Sequence, residues 1–559
     1  MENFTITIAK SGHKTLHYNI GGTTIRIHSA YDPIKEALRI ADQCNPKRAS
    51  IIIVCGLGLG YHIQALKSKF PTHTIIVIEK DKMLAERVRQ EFPEVISLAS
   101  IVHDEEQIAT ALETIDIRSF KGTALLVHRP SYSLHPEFYD TMTASLHKQI
   151  SSRISDLLTR FEFEELWVKN ILLNSKLMHT TLPVQSLFGK FKGMPGIIVS
   201  AGPSLIQSLD ALAQAYDKAL IVCVDTAYKV LERHNIKPHI VMTLDAQTHS
   251  IKHFLGITHK PLLLADVVSS PKVTRLIKNK IFSTTAKYYT APDGSIKRES
   301  TPLMEWIQNF TGQIGDIQSG GSVATSAFDL LLNAGCSSIV LVGQDLAYTG
   351  REIHSRGTHH NDDWLPATNR FKNLDTINQN VIRKRKIKYV PSNNGSTVIT
   401  DFVLDLYRSW FEDSAKKVSI PVYNTTQGGA VIANTTFVPL QALVEKWKKP
   451  TVSPQEILSY ELSHHNTIHT QSLFRKLSSI HHKLKELQAV AAQDTAHLYA
   501  LLDDEDMDTL CSPFMRKTLF YIARHNLDQQ KIDVLIKDAA QAAARQLLKI
   551  FAKLEESLI

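Results

Sequence analysis

The sequence predicts an α/β protein in which a central parallel sheet, buried on both faces, follows a smaller α/β domain and precedes an α-helical one. Three observations predict this. From residue 195 to 266 four apolar runs alternate with helical segments, and the last three finish at Asp225, Asp245 and Asp266. Near-continuous apolar runs of this kind are strands of a parallel sheet covered by helices. A separate strand–glycine turn–helix–strand pattern occupies residues 51–80. Beyond Pro450 the strand signals stop and leucines recur at helical spacing. These shifts place domains at 1–185, 186–448 and 449–559, in keeping with about 100–200 residues per domain.

Composition narrows the class. Apolar residues make up 43% and charged residues 21% of the 559, ordinary for a soluble globular chain. No run approaches the ~18 apolar residues of a membrane span. "MENFTITIAKSGHK" has no basic region followed by an apolar stretch, so no secretory signal is expected and the protein reads as cytoplasmic. The five cysteines (Cys44, Cys55, Cys223, Cys336, Cys511) are scattered and odd in number, as in a reduced protein. A formal charge of +8 suits an anionic small ligand or an acidic partner and is too dilute to argue for nucleic acid.

In "IIIVCGLGLGYHIQALKSKFPTHTIIVIEK" a buried strand (Ile51–Val54) enters a turn with Gly56, Gly58 and Gly60. A helix and a second strand ending at Glu79 follow. Glycines after a strand, with an acid about 20 residues on, are the dinucleotide-binding pattern, but the spacing here is GxGxG. A purely structural turn, with a lost or absent ligand, is the favoured reading and nucleotide binding the alternative.

The central domain opens with "PGIIVSAGPSLIQSLDAL". A strand ends in Gly202-Pro203-Ser204, and a helix with Leu205, Leu209 and Leu212 on one face follows. Ser204 with Gln207 suggests a capping box. Farther on, Ser319-Gly320-Gly321-Ser322 opens a helix carrying Val323, Ala327, Leu330 and Leu331, and Gly335 suits its C-terminal stop. The strand Ile339–Val342 then delivers Gly343-Gln344-Asp345. Helix N-termini behind glycine turns offer unpaired N–H groups to an anion. Ligands of such sheets bind outside the carboxyl ends of the strands, where the aspartates also fall.

After His354 the chain turns polar, "HSRGTHHNDDWLPATNRF", and reads as a surface loop over the sheet end. His354, His359 and His360 with Asp362 and Asp363 have the residue types of a mixed nitrogen/oxygen metal site, without any established zinc spacing. "RKRKIK" (383–388) reads as a solvated basic edge, and Gly428-Gly429 as a turn closing the α/β part. Leu473, Leu477, Ile480, Leu484 and Leu487 form a short seam, either an internal bundle core or a partner-binding groove.

"SAGPSL", "CVDTAYKVL", "IVMTLDAQ", "SGGSVATSAFDLLLNAGCSSIVLVGQDLAY", "HS" and "VYNTTQGGAVI", in this order over residues 190–440, resemble the motility associated factor (Maf) family. The glycine-rich N-terminal unit also resembles the domain that precedes the core in that family. The resemblance implies a central Rossmann-like glycosyltransferase core with an N-terminal α/β domain and a C-terminal α-helical domain. It further implies transfer of a nonulosonic acid, pseudaminic or legionaminic, from its CMP-activated form to Ser or Thr of flagellin, as flagellum assembly requires. The partners it implies are flagellin and the CMP-sugar; the donor is a substrate, and neither cofactor nor metal is expected. Oligomeric state is left open.

The core also resembles bacterial sialyltransferases, where a Gly-Pro-Ser turn and a Ser-Gly turn hold CMP. On that basis Gly202, Pro203, Ser204, Asp225, Asp245, Ser319, Gly320, Gly321 and Ser322 are the expected donor-binding residues. The match is incomplete: where those enzymes carry asparagines, this chain has Ala201 and Asp225. His354 is the expected general base, with Asp345 orienting or supporting it, or holding the loop. A related pterin pyrophosphokinase-like family shares the core. That leaves open a kinase in which Asp225, Asp245 and Asp266 place Mg²⁺, although no P-loop is present, and equally a non-catalytic flagellin-binding factor.

Overall fold

The computed structural model describes residues 4–556 except 21, 48, 116–119, 291–294, 465, 492–493 and 526. Its chain divides into two compact units. The first is Met1–Glu162 with Arg516–Ile536, and the second Phe163–Met515 with Lys537–Ile559. Three domains were expected from the sequence. By packing, the division falls within the helix Pro136–Met178, and most of the tail groups with the central sheet.

In the first unit an antiparallel meander (Phe4–Ile8, Lys14–Ile20, Thr23–Arg26) precedes a four-stranded parallel sheet. That sheet runs Ser100–Val102, Thr74–Ile78, Ile51–Cys55, Thr123–Val127 in spatial order. Both faces are covered because alternate side chains serve opposite faces. Ile52, Val54, Ile75 and Val77 enter one core; Ile51, Ile53, Ile76 and Ile78 enter the other. Strand order reverses between Ile51–Cys55 and Thr123–Val127, and the glycine turn leaves from that point.

The second unit is built on one large sheet. Its order is Ile296–Ser300, Lys280–Thr290, Leu263–Asp266, Ile240–Thr243, Leu220–Val224, Pro195–Val199, Ser338–Val342, Val422–Asn424, Thr436–Phe437. All these pairings are parallel except the terminal hairpin of Lys280–Thr290 with Ile296–Ser300. The chain steps outward from Pro195–Val199 strand by strand, then crosses back to place Ser338–Val342 on its other side. The topological switch point therefore lies between these two strands, and the crevice beyond their carboxyl ends is the expected ligand site. Two buried asparagines of the helix Pro136–Met178 fix the neighbouring strand-end loops. Asn170 donates to the carbonyls of Ala246 and Val268, and Asn174 to those of Val267 and Ser269, all at 2.8–2.9 Å.

Leu473, Leu477, Ile480, Leu484 and Leu487 are all buried on the helix Gln471–Ala489, so the seam is internal core and not an open groove. The tail is also tied to the sheet layer. Trp306 donates to Asp506 at 2.8 Å, and Lys190 pairs with the nearly buried Glu461 at 2.9 Å. A chain ending near Lys449 would uncover this packing. No helix among the described residues is long and apolar enough to cross a membrane. All five cysteines are buried free thiols.

Candidate functional site

At the central switch point the turn after Pro195–Val199 and the turn after Ser338–Val342 lock into each other. The Gly202 N–H donates to the Gly343 carbonyl at 2.8 Å. The Ser204 hydroxyl donates to Asp345 at 2.7 Å, and the Ser204 N–H reaches the same carboxylate at 3.3 Å. Only glycine fits at 202, because a Cβ there would stand 2.1 Å from Asp345 Oδ1 and 2.4 Å from the Gly343 carbonyl oxygen. Burial raises the Asp345 carboxyl above its usual range, and bonds from Thr349 and Ser204 oppose that. The loop at Gly428-Gly429 closes over this pair, with the Ala430 N–H on the Asp345 carbonyl at 2.8 Å.

One expectation is corrected here. The N–H groups of Gly202 and Ser204 are engaged within the chain and do not serve as free anion donors. Asp345 holds the loops on either side of it through Ser204 and Thr349, and among the described residues no hydrogen bond joins it to His354. The segment from Pro203 to Ser208 is a 3₁₀ turn ahead of the helix Leu209–Ala215, so the Ser204–Gln207 capping box does not form. The Ser204 hydroxyl has gone to Asp345 instead.

The capping box is at the other turn. Ser322 caps the helix Val323–Asn333, its hydroxyl accepting from the Thr325 N–H, while Thr325 Oγ1 accepts from the N–H groups of Ser322 (3.3 Å) and Gly320 (2.9 Å). The Gly321 N–H turns to Ser319 Oγ at 3.3 Å. The N–H groups of Gly320, Gly321 and Ser322 are thus engaged within the turn, and those of Val323 and Ala324 remain as donors at the helix start. Trp410 lies against Gly320, where a Cβ would meet its ring at 2.4 Å, and Tyr407 lies against Gly321.

The strand-end aspartates are unequal. Asp225 is buried, accepts from Thr226 and from Thr243 Oγ1 (2.7 Å), and is raised by burial. Asp266 accepts from the Val268 N–H and Thr285 Oγ1, and burial pushes its carboxyl up to about 6. Asp245 is the most open: it accepts from the Gln247 N–H at 2.8 Å and lies 3.5 Å from His249.

The segment after His354 is an exposed loop only in its second half, where Leu365–Ala367 and residues 369–371 face solvent; its first half is packed. The Ser355 N–H donates to the Ala201 carbonyl at 2.8 Å, which seats His354 beside the Gly202 turn. A short helix His359–Trp364 follows, with Thr358, His359 and Asn361 buried. His354 stacks on His360 with centroids 4.6 Å apart, His360 is 3.8 Å from His359, and His359 meets His253 edge-on at 4.1 Å. Burial, then the neighbouring imidazoles, push His354, His359 and His253 down to about 3. All three are neutral at physiological pH. Asp362 pairs with Arg233 and Asp363 with Lys252. Among the described residues no group of three or more His, Cys, Asp or Glu side chains is arranged to hold a metal ion.

In the first unit the glycine turn is filled by the protein itself. Leu57 N–H donates to Glu79 at 2.8 Å and Leu59 N–H to His28 Nε2 at 2.8 Å. Gly58 has φ +50°, and a Cβ there would lie 2.5 Å from His28 Nε2. Glu79, the acid that the dinucleotide pattern would direct to a ribose, instead caps its own loop.

The fold as a whole is shared with a solved structure. The Maf glycosyltransferase from Magnetospirillum magneticum AMB-1 superimposes with a TM-score of 0.61, over 99% of this chain and 93% of that one, at 16% identity. The chain has the fold of a Maf glycosyltransferase. Within it, residues 169–351 match the family described as 6-hydroxymethylpterin diphosphokinase MptE-like. Two uncharacterized proteins of Treponema pallidum (strain Nichols) are similar to it. One is 26% identical over 226 residues, 38% of this chain and 73% of that protein; the other is 24% identical over 246 residues, 39% and 61%. The Maf-like fold carries the N-terminal α/β unit and the helical tail as well as the core.

The sequence pointed to Gly202, Ser204, Ser322, Asp345 and His354, and the structure brings them to one end of one sheet. It did not point to His253, Tyr407 or Trp410. His253 follows His249 by one helical turn, a weak signal, and nothing local marks the two aromatics.

Proposed function

We propose that this protein is a glycosyltransferase that moves a nonulosonic acid of the pseudaminic or legionaminic type from its CMP-activated form to Ser or Thr of flagellin in the cytoplasm. The observation that carries the reading is the Maf-like fold over 99% of the chain, joined to a switch-point crevice flanked by a capped helix start and an imidazole cluster. The Val323 and Ala324 N–H groups, at the positive end of an 11-residue helix, would stabilise charge gathering on the departing CMP phosphate. Gly202, Pro203 and Ser204 would form a fixed wall for the ribose side, with Asp225 and Asp245 at the neighbouring strand ends. The acceptor oxygen attacks the anomeric carbon, the bond from that carbon to the phosphate oxygen breaks, and His354 takes the hydroxyl proton. Neutral at physiological pH, His354 can accept a proton, and a bound phosphate would strengthen it as a base.

The test is the intact mass of flagellin coexpressed with this protein and a nonulosonic acid pathway. The expected result is a mass increase by one or more sugar residues. Unmodified flagellin in cells that accumulate the CMP-sugar would exclude the reading. The match of residues 169–351 to a diphosphokinase family favours a second reading, with Asp245 as the most open carboxylate for a nucleotide-bound Mg²⁺. Thermal shifts with CMP or CTP against ATP plus Mg²⁺ separate the two.

A further inference from the structure

The transfer step above uses His354 and leaves three imidazoles beside it unexplained. His253, His359 and His360 lie over the ends of the strands that finish near Asp225 and Asp245, and His360 is close enough to Asp225 to feel its charge. His253 is 7% and His359 4% exposed, and Nδ1 of each is buried without a hydrogen-bond partner. Such orphans are rare in native interiors, and leaving one unmade costs about 1–3 kcal/mol.

The surrounding charges do not resolve them. From the helix Asp225–Arg233, Lys229 and Arg233 face Asp362; from the neighbouring turn, Lys252 takes Asp363, and His249 lies by Asp245. Asp225 is committed to Thr226 and Thr243. Acids and bases around the cluster are therefore already matched, and the imidazoles hold one another neutral by burial and mutual repulsion. An oxyanion set among them would satisfy the orphaned nitrogens and lift that repulsion. The neighbouring Gly202–Ser204 turn, whose N–H groups are engaged, cannot do so.

We propose that His253, His359 and His360 form an oxyanion subsite that takes up a proton from solvent as it binds. Given the glycosyltransferase reading, the oxyanion is a singly charged group of the donor, its phosphodiester or its carboxylate; the subsite itself does not depend on that reading.

The test is calorimetry of the full chain with the methyl ester of CMP, in two buffers of different ionisation enthalpy. The ester is chosen because a phosphate monoester titrates near pH 6 and would mask the effect, whereas a diester does not. Near pH 5.5 up to about one proton should be taken up per ligand, and affinity should tighten, by up to about tenfold per pH unit, as pH falls from 7 to 5. The His253→Gln, His359→Gln double variant, which removes both orphaned nitrogens, should lose the uptake. Binding with equal heats in both buffers and a pH-independent Kd would overturn the subsite while leaving the transferase reading intact, as would full uptake in the double variant. Inorganic sulfate is the second probe. Sulfate bound with proton uptake and no binding of the cytidine ester would uphold the subsite and count against the CMP-donor reading.

Discussion

Gly202→Ala tests the interlock at the switch point. At φ −67° and ψ 158° the position suits alanine, so no backbone strain enters. The effect is steric alone. The new Cβ would stand 2.4 Å from the Gly343 carbonyl oxygen and 2.1 Å from Asp345 Oδ1. The two turns must separate by roughly 1 Å to reach ordinary contact, which breaks the 2.8 Å bond from Gly202 to Gly343 and the bonds from Ser204 to Asp345. Overpacking of this kind costs about 1–3 kcal/mol, and a buried carboxylate stripped of its partner costs about 1–3 kcal/mol more. The expected loss is therefore about 2–6 kcal/mol. Gly193→Ala is the control: at φ +80° with nothing within 4 Å, it should cost only the left-handed penalty of about 1–2 kcal/mol. Urea unfolding at pH 7.5 reads both. A Gly202→Ala midpoint equal to wild type, or above that of Gly193→Ala, would refute the interlock.

Three further outcomes are expected. Ser322→Asp keeps an N-cap of equal quality, so melting should be little changed, yet its carboxylate beside the open N–H groups should abolish CMP binding; unchanged affinity by calorimetry would remove that helix start from the donor site. His354→Ala should lower single-turnover transfer to flagellin by about 10²–10⁴-fold with a far smaller change in donor affinity, and an active variant would rule out His354 as the base. His239 is buried, accepts from the Ile221 N–H at 3.0 Å and is pushed down to about 4. Unfolded it protonates near 6.5, so its neutral form stabilises the fold above that pH and the contribution is lost as pH falls from 6.5 to 4. H239N keeps an acceptor and removes the titration, so the wild type should lose about 1–2 kcal/mol per pH unit relative to it across that window in urea melts.

What the sequence made legible followed from period and punctuation. Ile51–Cys55, Pro195–Val199, Leu220–Val224 and Ser338–Val342 are largely apolar runs, ended by a glycine turn or, at Asp225, by an aspartate, and each is a buried parallel strand. Ser322 and Gly335 mark the two ends of their helix as their types suggest. Less legible was where polar groups spend their hydrogen bonds. Ser204 looked like a cap because Gln207 follows at the right distance, but its hydroxyl is claimed by Asp345, 141 residues away. Polar residues around His359 looked solvated, yet long-range packing against His253 buries them. Domain limits blurred for the same reason, since tail residues such as Asp506 are held by partners 200 positions earlier.

Each of the two glycine turns at a switch point already holds an anionic side chain of the same protein, Glu79 on the Leu57 N–H and Asp345 on the Ser204 N–H and hydroxyl. A tethered carboxylate acts at an effective concentration in the millimolar range or above, and it never diffuses away. A free phosphate reaching either turn meets a competitor that no dilution removes. The turns thus work as sealed receptors. Each carboxyl ties its turn to a neighbouring strand end and so lends rigidity to the wall of the crevice beside it.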